Sequence, residues 1–179
     1  MSTGVEGIFH VGITVSHMER SLRFYRDALG LEVESDAVID HPYVFALTAV
    51  PAEEIRVAFL RVPRSGSGND GSTRVELLEY RGIERHTVEG RPCDPGRSHI
   101  CLQVGDVDEV HRRLTVAGYR GRSKAPVEYG AGPRKGARAI YAVDPDGYNV
   151  ELYQPPGDVS ASATPRELGD SGAHVRPSP

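Results

Sequence analysis

The sequence has few of the features that mark secreted, membrane-bound or nucleic-acid-binding proteins. Its two cysteines, Cys93 and Cys101, cannot form a disulfide framework, and Cys101 stands in an apolar strand pattern that predicts a buried thiol. No apolar run approaches the roughly 18 residues that a membrane-spanning helix needs. The N-terminus has no basic segment followed by an apolar stretch of signal-peptide length. The net charge is -4, and the arginines are scattered rather than clustered. We therefore expect a cytoplasmic protein that binds neither nucleic acid nor membrane.

The apolar residues that are present follow strand and helix periodicities. Phe9–Val15 alternates as a strand, and it is followed by a helix that ends near Gly30. Ser16 and Glu19 have the spacing of a capping box at the start of this helix. Further strands are predicted at Leu31–Ser35, Tyr43–Val50, Ile55–Val62 and Arg74–Tyr80, with a Gly- and Ser-rich loop at Arg64–Ser72.

The second part of the chain repeats this order. Ser98–Val104 alternates as a strand, and a helix follows with Asp106 as the N-cap, Glu109 at the capping-box position and Gly118 at its end. Strands are then predicted near Ala125–Glu128, Arg138–Val143 and Tyr148–Tyr153.

The repeat divides the chain into two modules of strand, helix and three strands, which makes the expected fold class α+β. We place the first module with its linker at residues 1–90 and the second at 91–156. Residues 157–179 contain Pro, Gly, Ser and Ala with little apolar periodicity, and are predicted to be a disordered C-terminal tail.

Four polar residues occupy matched positions in the two modules. Each opening strand carries a histidine, His10 or His99, and each closing strand carries a glutamate, Glu76 or Glu151. Strand alternation places each of them opposite the apolar residues that should pack on the helices. All four are therefore predicted on the other, concave face of the sheet.

This set of residues indicates a metal site. A carboxylate in the middle of a strand is unusual, because Asp and Glu are poor strand formers and are rarely buried unpaired. A divalent cation accepts neutral imidazole and anionic oxygen together. We therefore predict that His10, Glu76, His99 and Glu151 hold a divalent metal ion.

The sequence resembles the vicinal oxygen chelate superfamily, which includes glyoxalases, bleomycin-resistance proteins and extradiol dioxygenases. The resemblance covers about residues 7–155, and it is carried by the segments FHVGITV, MERSLRFYRDALGLEV, RVELLEY, SHICLQVGDVDEVHRRL and AIYAVDPDGYNVELYQP. It implies two βαβββ modules that form a curved mixed sheet, with the family's ligand positions falling on His10, Glu76, His99 and Glu151.

The resemblance also implies a function. Because glyoxalase I and methylmalonyl-CoA epimerase use all four positions, the presence of Glu76 favours a metal-dependent lyase, isomerase or epimerase that stabilises the enolate of a small carbonyl substrate. The resemblance implies that Glu151 and Glu76 are the catalytic residues, since either ligand carboxylate could move the proton as a general base. An Fe(II) extradiol-type dioxygenase, which needs three ligands, and a non-catalytic antibiotic-binding protein remain alternatives. The metal is expected to be Zn, Ni, Co, Mn or Fe, the partner a small-molecule substrate, and the assembly a homodimer.

Two further segments bear on the substrate. Arg56 falls about where the epimerase would have its second catalytic acid, and the Gly130–Gly136 segment resembles the glycine-rich loop of glyoxalase I. Lys135, Arg134 and Arg138 in or after that loop could bind an anionic substrate, although a solvated loop is the simpler interpretation.

Overall fold

The computed structural model describes residues 4–63, 73–88 and 90–157. The chain divides into two compact units. Unit 1 comprises Met1–Arg97 together with the short segment Asp144–Tyr148, and unit 2 comprises Ser98–Val143 and the chain from Asn149 onward. Within the described residues, no helix has the length and apolar character that crossing a membrane requires.

Unit 1 is a four-stranded sheet with one helical layer on each face. Its elements are β1 (His10–Thr14), α1 (Met18–Leu22, continuing as a π-helical segment over Arg23–Ala28), β2 (Glu32–Ile39), α2 (Pro42–Thr48), β3 (Glu54–Arg61) and β4 (Arg74–Arg81). The strand order is β1-β4-β3-β2. β1 runs parallel to β4, and the other neighbours are antiparallel.

The core of unit 1 lies between the sheet and the long first helix. Met18, Phe24 and Tyr25 of that helix are fully buried, and they share the core with Leu60 and Leu77 of the sheet. The Tyr25 hydroxyl donates to Asp144 Oδ2 at 2.9 Å, so a buried polar group is satisfied within the unit. On the opposite face, a smaller apolar cluster forms under α2, built on the buried residues Val44, Ile55 and Val57.

Unit 2 repeats the arrangement with different edge strands. Its elements are β5 (His99–Gln103), α3 (Val107–Val116), β6 (Arg120–Gly121), β7 (Val127–Glu128), β8 (Arg138–Val143) and β9 (Asn149–Gln154). The strand order is β5-β9-β8-β6, and β7 also pairs with β8. Val107 and Leu114 of α3 are buried, as are Val150 and Leu152 of β9.

The expected α+β fold of two modules with curved mixed sheets is confirmed, with corrections to individual elements. The strand predicted at Tyr43–Val50 is wrong, because this segment contains the helix α2. His41 caps its N-terminus by accepting from the Tyr43 N–H, and Pro42 occupies the first turn, where its missing N–H costs nothing. The helix ends at Ala49 in the left-handed region, at φ 55°. β6 was not expected, and only Val127–Glu128 of the strand predicted at 125–128 is formed.

The two predicted helix caps had different outcomes. Asp106 caps α3 as expected, with its carboxylate accepting from the N–H groups of Asp108 and Glu109. The predicted capping box at Ser16 and Glu19 is wrong, because the N-cap residue of α1 is His17 and its side chain makes no capping bond. Instead, Glu79 Oε2 on β4 accepts from the Met18 N–H at 3.1 Å.

Two sequence predictions concern residues outside the described ranges. The loop expected at Arg64–Ser72 is one of them. The other is the tail expected at residues 157–179, of which only Gly157 is described.

Candidate metal-binding site

The first histidine–glutamate pair lies on neighbouring strands of unit 1. His10 opens β1, Glu76 is central in β4, and the parallel pairing of the strands puts Gly12 directly beside Glu76. His10 Nε2 lies 3.1 Å from Glu76 Oε2. The side chains flanking Glu76 in sequence, Val75 and Leu77, are buried on the opposite face, as strand alternation predicted.

Aromatic rings and a glycine surround this first pair. The Phe59 ring packs edge-on against the His10 imidazole at 5.7 Å between centroids, and Phe59 is the β3 neighbour of Glu76. Phe9 makes a similar edge contact with His10 at 5.5 Å. A Cβ atom built on Gly12 would lie 3.4 Å from Glu76 Oε2, so this glycine leaves room beside the carboxylate. His10 is the one described residue that forms a polar contact with the Glu76 side chain.

The second pair occupies the matching place in unit 2. His99 opens β5, Glu151 is central in β9, and Cys101 is the residue directly beside Glu151. His99 Nε2 lies 3.1 Å from Glu151 Oε2, the same separation as in unit 1. Glu151 is buried, with 7% of its surface exposed, and this distinguishes it from Glu76.

Hydroxyl and thiol groups surround the second pair. The Tyr129 hydroxyl donates to Glu151 Oε1 at 3.0 Å. Partial desolvation beside the sheet, followed by the charge of Glu151, raises the pKa of the Cys101 thiol to about 11. Partial desolvation and the same carboxylate also raise the pKa of the Tyr129 and Tyr141 hydroxyls. Tyr129 is the hydroxyl donor to Glu151, and Cys101 lies beside the carboxylate on the neighbouring strand.

The predicted burial of Cys101 is wrong. Cys101 is exposed on the same face of β5 as His99, and its neighbours Ile100 and Leu102 are less exposed. Residues two positions apart in a strand point to the same face, so the alternation that predicted the facing of His99 predicts the same facing for Cys101. The apolar character of the surrounding strand obscured this signal.

The geometry of each pair fits two adjacent ligands of one metal ion. Ligand atoms about 2.1 Å from an ion and at right angles to each other lie about 3.0 Å apart. The Nε2–Oε2 distance of 3.1 Å in both pairs agrees with this separation. Among the described residues, no group of three or more His, Cys, Asp or Glu side chains is placed so that it could hold a metal ion. The structure thus brings the four predicted ligands together as two pairs, one in each unit.

The structure places Arg56 away from the first pair. On β3, Arg56 is the partner of Glu79, which lies on the face that packs against α1, whereas Glu76 points to the other face. The Arg56 guanidinium binds Asp36 and Glu19, and these carboxylates raise its pKa. Arg56 is a structural ion-pair residue, and the position expected for a second catalytic acid holds no acid.

The Gly130–Gly136 loop connects β7 to β8 beside the second pair. The Tyr129 N–H donates to the Ala137 carbonyl at 2.8 Å, and the Gly136 N–H donates to the Tyr129 carbonyl at 2.9 Å. Gly132 and Gly136 have φ values of 79° and 84°, which side chains disfavour. Of the basic residues considered for substrate binding, Arg138 is paired with Asp108 on α3.

A cavity of about 860 Å³ lies in unit 1, and neither His10 nor Glu76 lines it. Thr14 and Tyr80 in its wall point to the same face as His10 and Glu76 along their strands, and the Ile83–Val88 segment forms another wall. Arg85 and Arg97 also line it. Its volume lies in the range of roughly 300–1,000 Å³ that small-molecule sites occupy.

Sequence reasoning did not identify Tyr129 as a site residue. It precedes the glycine-rich loop at the end of a two-residue strand, and it lies 22 positions before Glu151. Only the β7–β8 hairpin, together with the pairing of β8 and β9, brings the two side chains together. No local periodicity carries that information.

Comparison with protein families gives a match over most of the chain. The model for the Glyoxalase/Bleomycin resistance protein/Dioxygenase superfamily matches residues 7–152. A 2-epi-5-epi-valiolone epimerase from an Actinomyces species is 25% identical over 153 residues, which cover 86% of this chain and 81% of that protein. The lactoylglutathione lyase of Haemophilus influenzae is 24% identical over 152 residues, covering 82% of this chain and 91% of that protein.

Solved structures show the same fold. A glyoxalase family protein from Bacillus cereus superimposes with a TM-score of 0.71 at 20% identity, covering 88% of this chain and 99% of that one. The trypanothione-dependent glyoxalase I of Leishmania major gives a TM-score of 0.55 at 24% identity, covering 84% and 87%.

Proposed function

This chain belongs to the Glyoxalase/Bleomycin resistance protein/Dioxygenase superfamily, and from that premise we propose that it is a divalent-metal-dependent lyase, isomerase or epimerase acting on a small carbonyl compound. The observation that carries the proposal is the pair of matched His–Glu contacts, each with 3.1 Å between Nε2 and Oε2. We propose that His10, Glu76, His99 and Glu151 together hold one ion. The names of the epimerase and lyase relatives support this branch of the superfamily.

The donor set suits several divalent ions. Two imidazole nitrogens and two carboxylate oxygens are ligands that Zn, Ni, Co, Mn and Fe accept, and such an ion could also bind substrate oxygens. Bound there, the ion would polarise a substrate carbonyl and lower the pKa of the adjacent C–H group. Selection among these metals depends on availability as well as on ligand type.

Glu76 and Glu151 are the groups that can transfer the proton. Either carboxylate can accept the proton of the C–H bond next to the carbonyl, while the electron pair of that bond delocalises into the carbonyl to give an enolate. The protonated carboxylic acid can then return the proton to the neighbouring carbon, which completes an isomerisation. Inversion of the same carbon needs a proton on its opposite face, and the other glutamate, when protonated, would be its donor. This proton transfer involves no net oxidation or reduction of the substrate, so it needs no redox cofactor.

The cavity in unit 1 can receive the rest of the substrate. None of the four proposed ligands lines it; Thr14 and Tyr80 in its wall lie four positions along their strands from His10 and Glu76, which is about 13 Å. Its walls combine the Tyr80 ring with the Arg85 and Arg97 guanidinium groups. A small, partly apolar molecule with an anionic or polar end fits this lining.

Metal analysis of the full chain purified without chelator tests the proposal. We expect about one divalent ion per chain in the wild type, and a severe loss in His10→Ala and Glu151→Gln with the fold intact by circular dichroism. His111→Ala is the matched control, because His111 lies on α3 outside both pairs. Full metal content in either site variant would show that the ligand set is wrong.

Turnover assays separate the candidate reactions. Hemithioacetals of α-ketoaldehydes and epimeric acyl thioesters test proton transfer, whereas oxygen uptake with catechols tests ring cleavage. We expect activity in the first group and none with catechols. Fe(II)-dependent oxygen uptake would instead support a dioxygenase, and tight binding of an aromatic antibiotic by metal-free protein would support a sequestering role.

A further inference from the structure

We propose that Tyr129 and Cys101 are positioning residues that hold the Glu151 carboxylate in the orientation in which it binds the metal. This inference rests on the proposed function, because it assigns Glu151 as a ligand. It adds two residues to the site, and it predicts that the two His–Glu pairs differ in how well they are ordered before metal binds.

The two oxygens of Glu151 have separate partners. Oε1 accepts the Tyr129 hydroxyl at 3.0 Å, and Oε2 lies 3.1 Å from His99 Nε2. A carboxylate held through one oxygen presents the other in a fixed direction. Oε2, next to the imidazole, is therefore the oxygen available to the ion, and Oε1 is the oxygen held by the protein.

Tyr129 is itself held firmly. Its backbone N–H and carbonyl both form hydrogen bonds across the base of the loop, to Ala137 and Gly136 respectively. The residues before it, Val127 and Glu128, pair with β8. The Tyr153 ring lies 6.1 Å from the Tyr129 ring between centroids and limits its movement.

Cys101 restrains the same carboxylate from the neighbouring strand. It is the β5 residue paired with Glu151, and its side chain lies on the same face of the sheet as His99. The Tyr129 hydroxyl donates to Glu151, and Cys101 lies beside the same carboxylate on the neighbouring strand. These two neighbours come from different elements, so together they limit the orientations that the carboxylate can adopt.

The matched positions in unit 1 lack these neighbours. Gly12 occupies the place of Cys101, and among the described residues no tyrosine hydroxyl is hydrogen-bonded to Glu76 as Tyr129 is to Glu151. Among the described residues, Glu76 has His10 as its one polar partner. Glu151 therefore has a hydroxyl donor that orients it besides its histidine, whereas the polar contact of Glu76 within the described part of the chain is with His10 alone. The His99–Glu151 pair then contributes more to metal affinity, and Glu76 is the carboxylate better able to leave the ion and move.

Cobalt(II) titration of the full chain, monitored by visible absorption, tests the assignment. We expect Tyr129→Phe to weaken Co²⁺ affinity by about tenfold, the lower end of the effect of losing a group that orients a ligand, and to alter the visible spectrum. Tyr153→Phe is the matched control, because it also removes one tyrosine hydroxyl but leaves the bond to Glu151 intact. It should bind like the wild type.

The thiol is tested in the same way. Cys101→Ala should weaken Co²⁺ binding by a smaller factor, Cys101→Ser should restore it by keeping a γ atom beside the carboxylate, and Cys93→Ala should have no effect. A purely structural role for Tyr129 would lower the melting temperature without changing the Co²⁺ spectrum at 20–25 °C.

The outcomes separate this inference from the proposed function. If the wild type binds Co²⁺ and Tyr129→Phe matches Tyr153→Phe in affinity and spectrum, the positioning role is wrong and the metal site stands. If the wild type binds no divalent ion, the proposed function fails, and the role assigned to Tyr129 fails with it.

Discussion

Single residues determine how the two carboxylates of the candidate site differ. Glu151 is buried between a tyrosine hydroxyl and a thiol, whereas Glu76 lies beside a glycine and a phenylalanine ring. The repeat supplies the same ligand types in both units, and the neighbouring strand positions make their surroundings unequal. Substitutions at the carboxylates should therefore have unequal consequences.

The reactivity of Cys101 should report on Glu151. We expect Glu151→Gln to accelerate alkylation of Cys101 by iodoacetamide several-fold at pH 8. Partial desolvation is the largest cause of its pKa of about 11, but the charge of Glu151 contributes, and the thiolate is the reactive species. Peptide mapping by mass spectrometry gives the rate for each cysteine. Cys93 provides the internal control, and an unchanged ratio of the two rates would contradict the contact.

Glu76 decides between branches of the superfamily. In a lyase or isomerase with four protein ligands, Glu76→Ala should lower the metal content, because an anionic oxygen is lost from the ion. Glu151→Ala should lower it further, since that carboxylate is also oriented by the Tyr129 hydroxyl. Elemental analysis of the two variants side by side gives the answer. Full occupancy in Glu76→Ala with loss in Glu151→Ala would indicate a three-ligand site of the dioxygenase type.

At the scale of elements, the start of α1 depends on a strand distant in sequence. Glu79 on β4 accepts from the Met18 N–H and also binds Arg81, so one buried carboxylate satisfies a helix terminus and an arginine. Desolvation acts to raise the pKa of Glu79, but the hydrogen bonds from Arg81 and Met18 outweigh it, and the pKa is lowered. This is a tertiary cap that ties α1 to the sheet.

The cap should make stability depend on pH. Because the folded-state pKa of Glu79 lies below its ordinary value of 4.5, its contribution is present above pH 4.5 and is lost as the pH falls through the folded-state pKa. We expect Glu79→Ala to lower the free energy of unfolding by about 1–3 kcal/mol at pH 7, because a buried N–H loses its acceptor. Urea denaturation at pH 7 and pH 3 measures the change.

A control variant isolates this effect. Glu109→Ala removes an exposed glutamate of α3 that pairs with Arg112, and it should leave the unfolding midpoint nearly unchanged. The difference between Glu79→Ala and the wild type should shrink at pH 3. A difference that is equal at both pH values would mean that the ionised carboxylate is not the cap.

At the scale of the whole molecule, the family fold accounts for the chain up to the end of β9. The superfamily match ends at residue 152, and β9 ends at Gln154. From its composition, we expect removal of residues 158–179 to leave the melting temperature and metal content unchanged. Differential scanning fluorimetry of the shortened and full chains tests this. A clear fall in melting temperature would show that the segment packs on the domain or on a second copy.

Local patterns in the sequence determined the features that depend on near neighbours along the chain. Strand alternation has a period of two residues, so it predicted correctly that Val75 and Leu77 are buried while Glu76 points to the other face. The Asp106 cap was predictable because its acceptor and donors lie within three residues. The repeat of strand and helix patterns was sufficient to indicate the two-module fold, which the family match supports.

Only the tertiary structure decided the features that depend on contacts between distant segments. The apolar run 43–50 suits a strand or a helix, and its packing as α2 over Ile55 and Val57 decides for the helix. Ser16 has the local pattern of a cap, yet Glu79 performs the capping, 61 positions away. Tyr129 reaches Glu151 through a hairpin and a strand register. These outcomes have one physical reason: hydrogen bonds and packing between distant segments depend on the relative placement of whole elements, and no short sequence window contains that placement.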